Sequence, residues 1–172
     1  MKKLIATGIA AAAMALSINA TASPFNYVEY AIGNVEFDGG GDGDYSALSA
    51  SFETSVVPIV SLEMLDYNDF DVLKLGIGGY MEIGSSAHLF GLVHYNDYDN
   101  IDSDFSLTAG IRSTISDRLE VTASYTTYTD VDSLDGIALS LGYYFTENFS
   151  VAGHYEMLEN SDVMAVSARL SF

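Results

Sequence analysis

From Phe25 to Phe172 apolar and polar side chains alternate with a period of two, and no stretch keeps a helical period. A period of two sends successive side chains to opposite faces of a β-strand. Leu107, Ala109 and Ile111 alternate with Ser106, Thr108, Gly110 and Arg112. Leu119, Val121, Ala123 and Tyr125 alternate with Glu120, Thr122, Ser124 and Thr126. The pattern runs to the last residue, with Met164, Val166, Ala168, Leu170 and Phe172 on one side and Ala165, Ser167, Arg169 and Ser171 on the other. Ten strands are predicted, at 25–36, 44–54, 58–67, 70–83, 87–97, 105–115, 119–129, 136–145, 149–158 and 161–172. Eight is the alternative count. The fifth strand has no clear facing, because His88-Leu89-Phe90-Gly91-Leu92-Val93-His94 is apolar on both sides.

The chemistry of the polar face separates a water-soluble barrel from a membrane one. A face turned to water carries roughly 25–35% Lys, Arg, Glu and Asp. Here it is mostly small: Ser49, Ser51, Ser61, Gly76, Gly78, Thr108, Gly110, Thr122, Ser124, Ser140, Gly142, Ser150, Ala152 and Ser167. Small side chains suit a cramped interior, which leaves the large apolar ones facing out, toward lipid. Tilted strands of about 9–11 residues cross the hydrocarbon. Backbone groups in lipid have no water to bond, so such a sheet must close on itself. The expected fold is all-β, an antiparallel up-and-down transmembrane β-barrel. Its even strand number places both termini on one side.

Residues 1–22 read as a secretory signal peptide, with basic Lys2-Lys3, an apolar run from Leu4 to Leu16, and small Ala20-Thr21-Ala22 at the cleavage site. Residues 23–172 then form the barrel domain. The sequence has no cysteine, so export is not used to form disulfides. Without Lys2 and Lys3, four Lys and Arg face 24 Asp and Glu, a net charge of −20. Such a chain repels nucleic acid.

The connections form two alternating classes. One is short and poor in aspartate. The other is acidic, at Asp38 to Asp44, Asn68-Asp69, Asp97 to Asp104, Asp130 to Asp135 and Glu159 to Asp162, and counting the strand ends it holds every aspartate except Asp117. In a meander, alternate connections lie at opposite ends, so one end is strongly acidic. Aromatics gather near both ends. Phe25, Tyr27, Tyr80, Phe90, Tyr143, Phe145 and Phe149 lie at the less acidic end, and Tyr45, Tyr67, Tyr95, Tyr98, Phe105, Tyr125 and Tyr128 at the other. They are expected as two interfacial girdles.

A signal peptide, alternating strands, short turns on one side and a terminal phenylalanine together resemble the small bacterial outer-membrane β-barrel proteins of the OmpA and OmpX type. Tyr27-Val28-Glu29 followed by Phe37-Asp38-Gly39 is similar to the start of a group of small outer-membrane proteins with an Asp/Gly-rich first loop. The pattern Val166, Ala168, Leu170, Phe172 looks like the C-terminal sorting signal read by the barrel-assembly machinery. The resemblance implies the bacterial outer membrane, with lipid and lipopolysaccharide as surroundings. It also implies periplasmic chaperones and the assembly machinery as partners during biogenesis, and a monomer. The exposed loops are shorter than those that carry adhesion in such barrels.

Interior ionisable residues are the first functional candidates: on the inward parity lie Glu29, Glu53, Glu63, Glu82, Glu120, Glu156, Lys74, Arg112, Arg169, His88, His94 and His154. Hairpin geometry predicts Glu63 opposite Lys74 and Glu82 opposite His88, Arg112 diagonal to Glu120, and Arg169 near Glu29 once the last strand meets the first. These are expected as lumen ion pairs in a polar, filled core. Eight-stranded barrels are filled and 16–18-stranded ones conduct, so ten strands stand near the filled end. Any flux past the excess glutamate would favour cations. A rim enzyme would need His154 with Glu156, or His94 with Asp97, as a general-base pair. The aspartates Asp38, Asp42, Asp44, Asp97, Asp99, Asp102 and Asp104 are candidate cation ligands, but the order of an EF-hand is missing. No cofactor is expected beyond weakly bound divalent cations such as calcium. The expected function is a non-enzymatic envelope protein, structural or surface-interacting. A narrow, cation-favouring porin-like channel comes second, and a lipid or peptide hydrolase or transferase third.

Overall fold

The computed structural model describes residues 24–56, 58–67, 70–99 and 101–172, so the signal-peptide segment 1–22 lies outside the described residues. The strands are β1 (Tyr27–Phe37), β2 (Asp42–Phe52), β3 (Ile59–Tyr67), β4 (Phe70–Ile83), β5 (Ala87–Tyr98), β6 (Asp104–Ser116), β7 (Leu119–Tyr128), β8 (Gly136–Tyr144), β9 (Phe149–Leu158) and β10 (Ser161–Ser171). One 3-10 turn, Asp132–Leu134, interrupts the β7–β8 loop. Each strand pairs antiparallel with the next, and β10 pairs with β1, so the sheet is a closed ten-stranded barrel. The closing register sets Val28 opposite Leu170 and Glu29 opposite Arg169. Phe172 extends the seam by one bond, donating its backbone N–H to the Asn26 carbonyl at 3.1 Å.

The two faces follow the alternation. Outward residues are large, apolar and uncovered, as at Ile77 (58% exposed), Leu139 (43%) and Val166 (57%). A belt of this kind contacts acyl chains in a membrane barrel. Inward residues are small or paired, as at Ser51, Ser61, Thr108, Ala152 and Ser167. Interior space is tight enough to dictate glycine at Gly76, where a Cβ would lie 2.2 Å from Ser61 Oγ and 2.4 Å from His94 Cδ2. Gly84 turns the β4–β5 hairpin at φ +68°, a conformation that disfavours any side chain. The facing of β5 is settled by its neighbours in the sheet. Leu89, Val93 and Tyr95 are exposed, whereas Phe90, His94, Asn96 and Tyr98 are buried inside.

Both described termini share the end that carries the turns at 84–86, 117–118 and 145–148. At the opposite end Glu36, Asp42, Asp44, Asp66 and Asp97 stand exposed on the outward parity. The aromatic girdles need correction. Tyr95, Phe105 and Tyr125 do face out at the acidic end, and Tyr143, Phe145 and Phe149 at the other. Phe25, Phe90, Tyr67 and Tyr98, however, are buried in the lumen. Closeness to a strand end does not decide facing; parity does, and these rings fall on the inward side.

A charge on the outer belt and a trim of the inner wall should differ sharply. Leu139→Arg is expected to cost about 2–4 kcal/mol of folding free energy. Ser140→Ala, its inward neighbour, should cost below about 1 kcal/mol. Denaturant titration of protein folded into lipid vesicles measures both.

Candidate functional site in the lumen

Near the end that carries the termini, inward charges form one connected tie. Arg169 on β10 donates from Nε to Glu29 Oε2 on β1, and from Nη1 to Glu120 Oε1 on β7 at 2.7 Å. Glu120 also lies 3.7 Å from Arg112 Nε on β6 and accepts from the Tyr144 hydroxyl at 3.2 Å. The tie thus spans the lumen from the β10–β1 seam to the opposite wall. Tyr27 lies beneath both guanidiniums, with ring-centroid distances of 4.5 Å to Arg169 and 5.3 Å to Arg112. Charge-assisted bonds and facing aromatic surfaces offset the desolvation of these ions. His154 Nε2 completes the cluster, 3.0 Å from Glu29 Oε1 and 2.7 Å from Ser167 Oγ.

Higher in the barrel, Lys74 Nζ donates to the Tyr128 hydroxyl at 3.1 Å and lies 3.6 Å from Glu63 Oε2. Asp104 accepts from Asn96 Nδ2 and from the Tyr98 hydroxyl, each at 2.7 Å, and from the backbone N–H of Asp130 at 3.3 Å. At the acidic mouth Val35, Leu65, Tyr67, Val72, Tyr98 and Val163 form an apolar cluster against which Val131 and Leu134 of the β7–β8 loop pack. Asp135 braces that loop by accepting from the Tyr128 backbone N–H at 2.6 Å and Thr127 Oγ1 at 2.8 Å. At the mouth beside the termini Phe25, Ile59 and Phe90 form a second apolar cluster with Tyr80 and Leu92.

Between the two seals lie two cavities of about 200 and 210 Å³, whose walls share Glu29, Ser49, Glu63, Lys74, His154 and Glu156. His94 is 2% exposed and faces the larger one, and among the described residues neither of its ring nitrogens nor the neighbouring Ser61 Oγ has a hydrogen-bond partner.

The structure therefore brings together Glu29 with Arg169, Glu63 with Lys74, and Arg112 with Glu120. It does not make an ion pair of Glu82 and His88. They stand opposite in register, but Glu82 is exposed at the rim, while His88 packs against Tyr80 and edge-on to Phe25. The His94–Asp97 pair is also corrected, since the two residues project from opposite faces of β5 and His94 is buried while Asp97 is exposed. His154 and Glu156 do share the inward face, but His154 engages Glu29 and Ser167 deep in the barrel, away from any rim. Asp104 leaves the set of loop cation ligands, because it is buried with its oxygens already accepting. Asp38, Asp42, Asp44, Asp97, Asp99 and Asp102 remain exposed. Among the described residues no group of three or more His, Asp or Glu is placed to hold a metal ion.

Sequence reasoning missed the Arg169–Glu120 bond, the Tyr128 partner of Lys74 and the role of Pro24–Asn26. Hairpin register gives neighbours along the wall, and these contacts run across the lumen.

A closed barrel with an apolar outer belt and an ion-paired lumen has the architecture of a transmembrane β-barrel. No protein-family model matches the sequence, and no curated protein matches it. Among solved structures, the KdgM porin in complex with disordered oligogalacturonate is similar, at 12% identity over 85% of this chain and 99% of that chain, with a TM-score of 0.55. The outer membrane protein Omp33 of Acinetobacter baumannii matches at 12% identity over 86% and 98%, with a TM-score of 0.45. Ail, the attachment invasion locus protein of Yersinia pestis, matches at 16% identity over 84% and 93%, with a TM-score of 0.31. The likeness to the KdgM porin is one of fold.

Removing the hub of the tie should strand two carboxylates. Arg169→Met is expected to cost about 3–5 kcal/mol, as breaking a buried pair does. The triple change Arg169→Met, Glu29→Gln, Glu120→Gln should recover part of that loss. Unfolding titrations in vesicles give both values.

Proposed function

We propose that this chain is a non-enzymatic component of the bacterial outer membrane that stands closed at rest, with a structural or surface-interacting role. The observation that carries the reading is the double seal of the lumen, apolar at both mouths and cross-tied by Arg169 between them. A conducting pore needs a continuous polar path. Export by residues 1–22 and the position of the termini beside the short turns support periplasmic termini and an acidic face turned outward. Val166, Ala168 and Leu170 stand exposed on the lipid side of β10, where an assembly factor would find them before the seam closes.

The acidic face would meet anionic lipopolysaccharide through diffuse divalent cations, which relieve repulsion between like charges. The cavities between the seals favour a second reading, a narrow cation-favouring channel with its gates shut.

Single-channel recording on the refolded protein separates the two. Silence is expected, and steady cation-selective steps would replace the first reading with the second. Calcium and magnesium at equal millimolar concentrations are expected to shift thermal melting alike. A gain specific to calcium would mean an ordered site in the loops.

A further inference from the structure

The periplasmic mouth is closed by the residues that precede β1. Phe25 is 3% exposed, and its ring stacks on Tyr80 at 4.6 Å and stands edge-on to Phe90 at 5.9 Å and to His88 at 6.0 Å. The Arg112 guanidinium covers its face at 5.0 Å, and Arg112 Nη1 donates to the Pro24 carbonyl. Asn26 Oδ1 accepts from the Glu53 backbone N–H at 2.6 Å. Pro24 and Phe25 thus reach β4, β5 and β6 through the Pro24 carbonyl and the Phe25 ring. They precede Tyr27, where the β1–β10 and β1–β2 registers begin, so their departure leaves those ladders whole.

Behind Phe25 lies the space that the strands leave open. A barrel meant only to be filled would pack its middle. This one lines its middle with Ser49, Thr108, Ser124 and Ser140, and keeps two cavities there. His94 and Ser61 have polar atoms with no protein partner, and buried groups of that kind are normally met by water. The inward charges around the space are Glu29, Glu63, Glu120 and Glu156 against Lys74, Arg112 and Arg169. Carboxylates exceed cations by one. Glu156 makes no ion pair or hydrogen bond with any described residue and borders both cavities.

We propose that this space is a hydrated vestibule for small monovalent cations, entered from the periplasmic side when Phe25 withdraws, with Phe25 as its stopper. The inference rests on the closed-barrel reading and adds to it a ligand class and a moving part. The acidic mouth stays shut by Val35, Leu65, Tyr67, Val72, Tyr98 and Val163, so withdrawal admits ions without opening a path through the membrane.

The chain contains no cysteine, so a single Ser49→Cys substitution reports access to the wall shared by both cavities. In detergent-folded protein, Ser49→Cys should resist both a trimethylammonium and a sulfonate thiosulfonate reagent. Adding Phe25→Ala should admit the cationic reagent about tenfold faster or more, and faster than the anionic one, as a field of negative sign requires. Tyr80→Ala, which removes the stacking partner and leaves Phe25 in place, should open the mouth to a smaller degree. Heat-modifiable gel mobility verifies folding of each variant. Equal resistance in both opened variants, preference for the anionic reagent, or full reactivity with Phe25 in place overturns the proposal. Channel steps from the unaltered protein would instead overturn the closed-barrel reading, so the two failures are distinct.

Discussion

Everything in this structure depends on closing a sheet where water is absent. An unpaired backbone N–H or C=O in hydrocarbon costs several kcal/mol. The ten strands remove that cost only if β10 finds β1. The seam does so over the full length of both strands, from Tyr27 opposite Ser171 to Phe37 opposite Ser161. Closure then assigns every side chain an address. The outer face belongs to the bilayer and takes leucine, isoleucine and valine. The inner face is shared by ten strands around a narrow axis and takes serine, glycine and a few charges that must satisfy one another.

The interior has three layers with different chemistry. A tie of Glu29, Arg169, Glu120 and Arg112 sits low, and an apolar cluster around Val35, Tyr67 and Val163 sits at the acidic mouth. Between them Ser49, Thr108, Ser124 and Ser140 line the wall, and Lys74 reaches Tyr128 and Glu63 beside two cavities. The low layer braces the barrel across its diameter, which a ladder of neighbouring strands cannot do. Placing it beside the seam also fastens the last strand to the first, because Arg169 and Glu29 are register partners. The middle layer is left polar and open, and it is there that charge and space coincide.

Most of the wall was legible. The predicted bounds of β4 and β9 match the strands, and the rest shift by one or two residues, because a period of two is unambiguous when one face is small and the other greasy. The fifth strand resisted for a physical reason. Phe90 and Leu92 are apolar yet face inward, where they join the apolar cluster at the mouth beside the termini. The same cause misplaced Phe25, Tyr67 and Tyr98. A sequence shows that an aromatic lies near a strand end, but a plug and a girdle use the same residues at the same height. The candidate site was legible where it follows hairpin register, as with Glu63 and Lys74, and illegible where it crosses the lumen, as with Arg169 and Glu120.

By itself the sequence determined the up-and-down β architecture, the facing of nine strands, the acidic polarity of one end and the excess of carboxylate inside, and it favoured ten strands over eight. These follow from alternation and composition, which act locally. Only the tertiary structure decided that apolar clusters sit at both mouths, that Phe25 turns back into the barrel, and that His94 and Asp97 project from opposite faces of β5. Those outcomes depend on barrel diameter and on distances across the lumen, and no spacing along one chain encodes a chord.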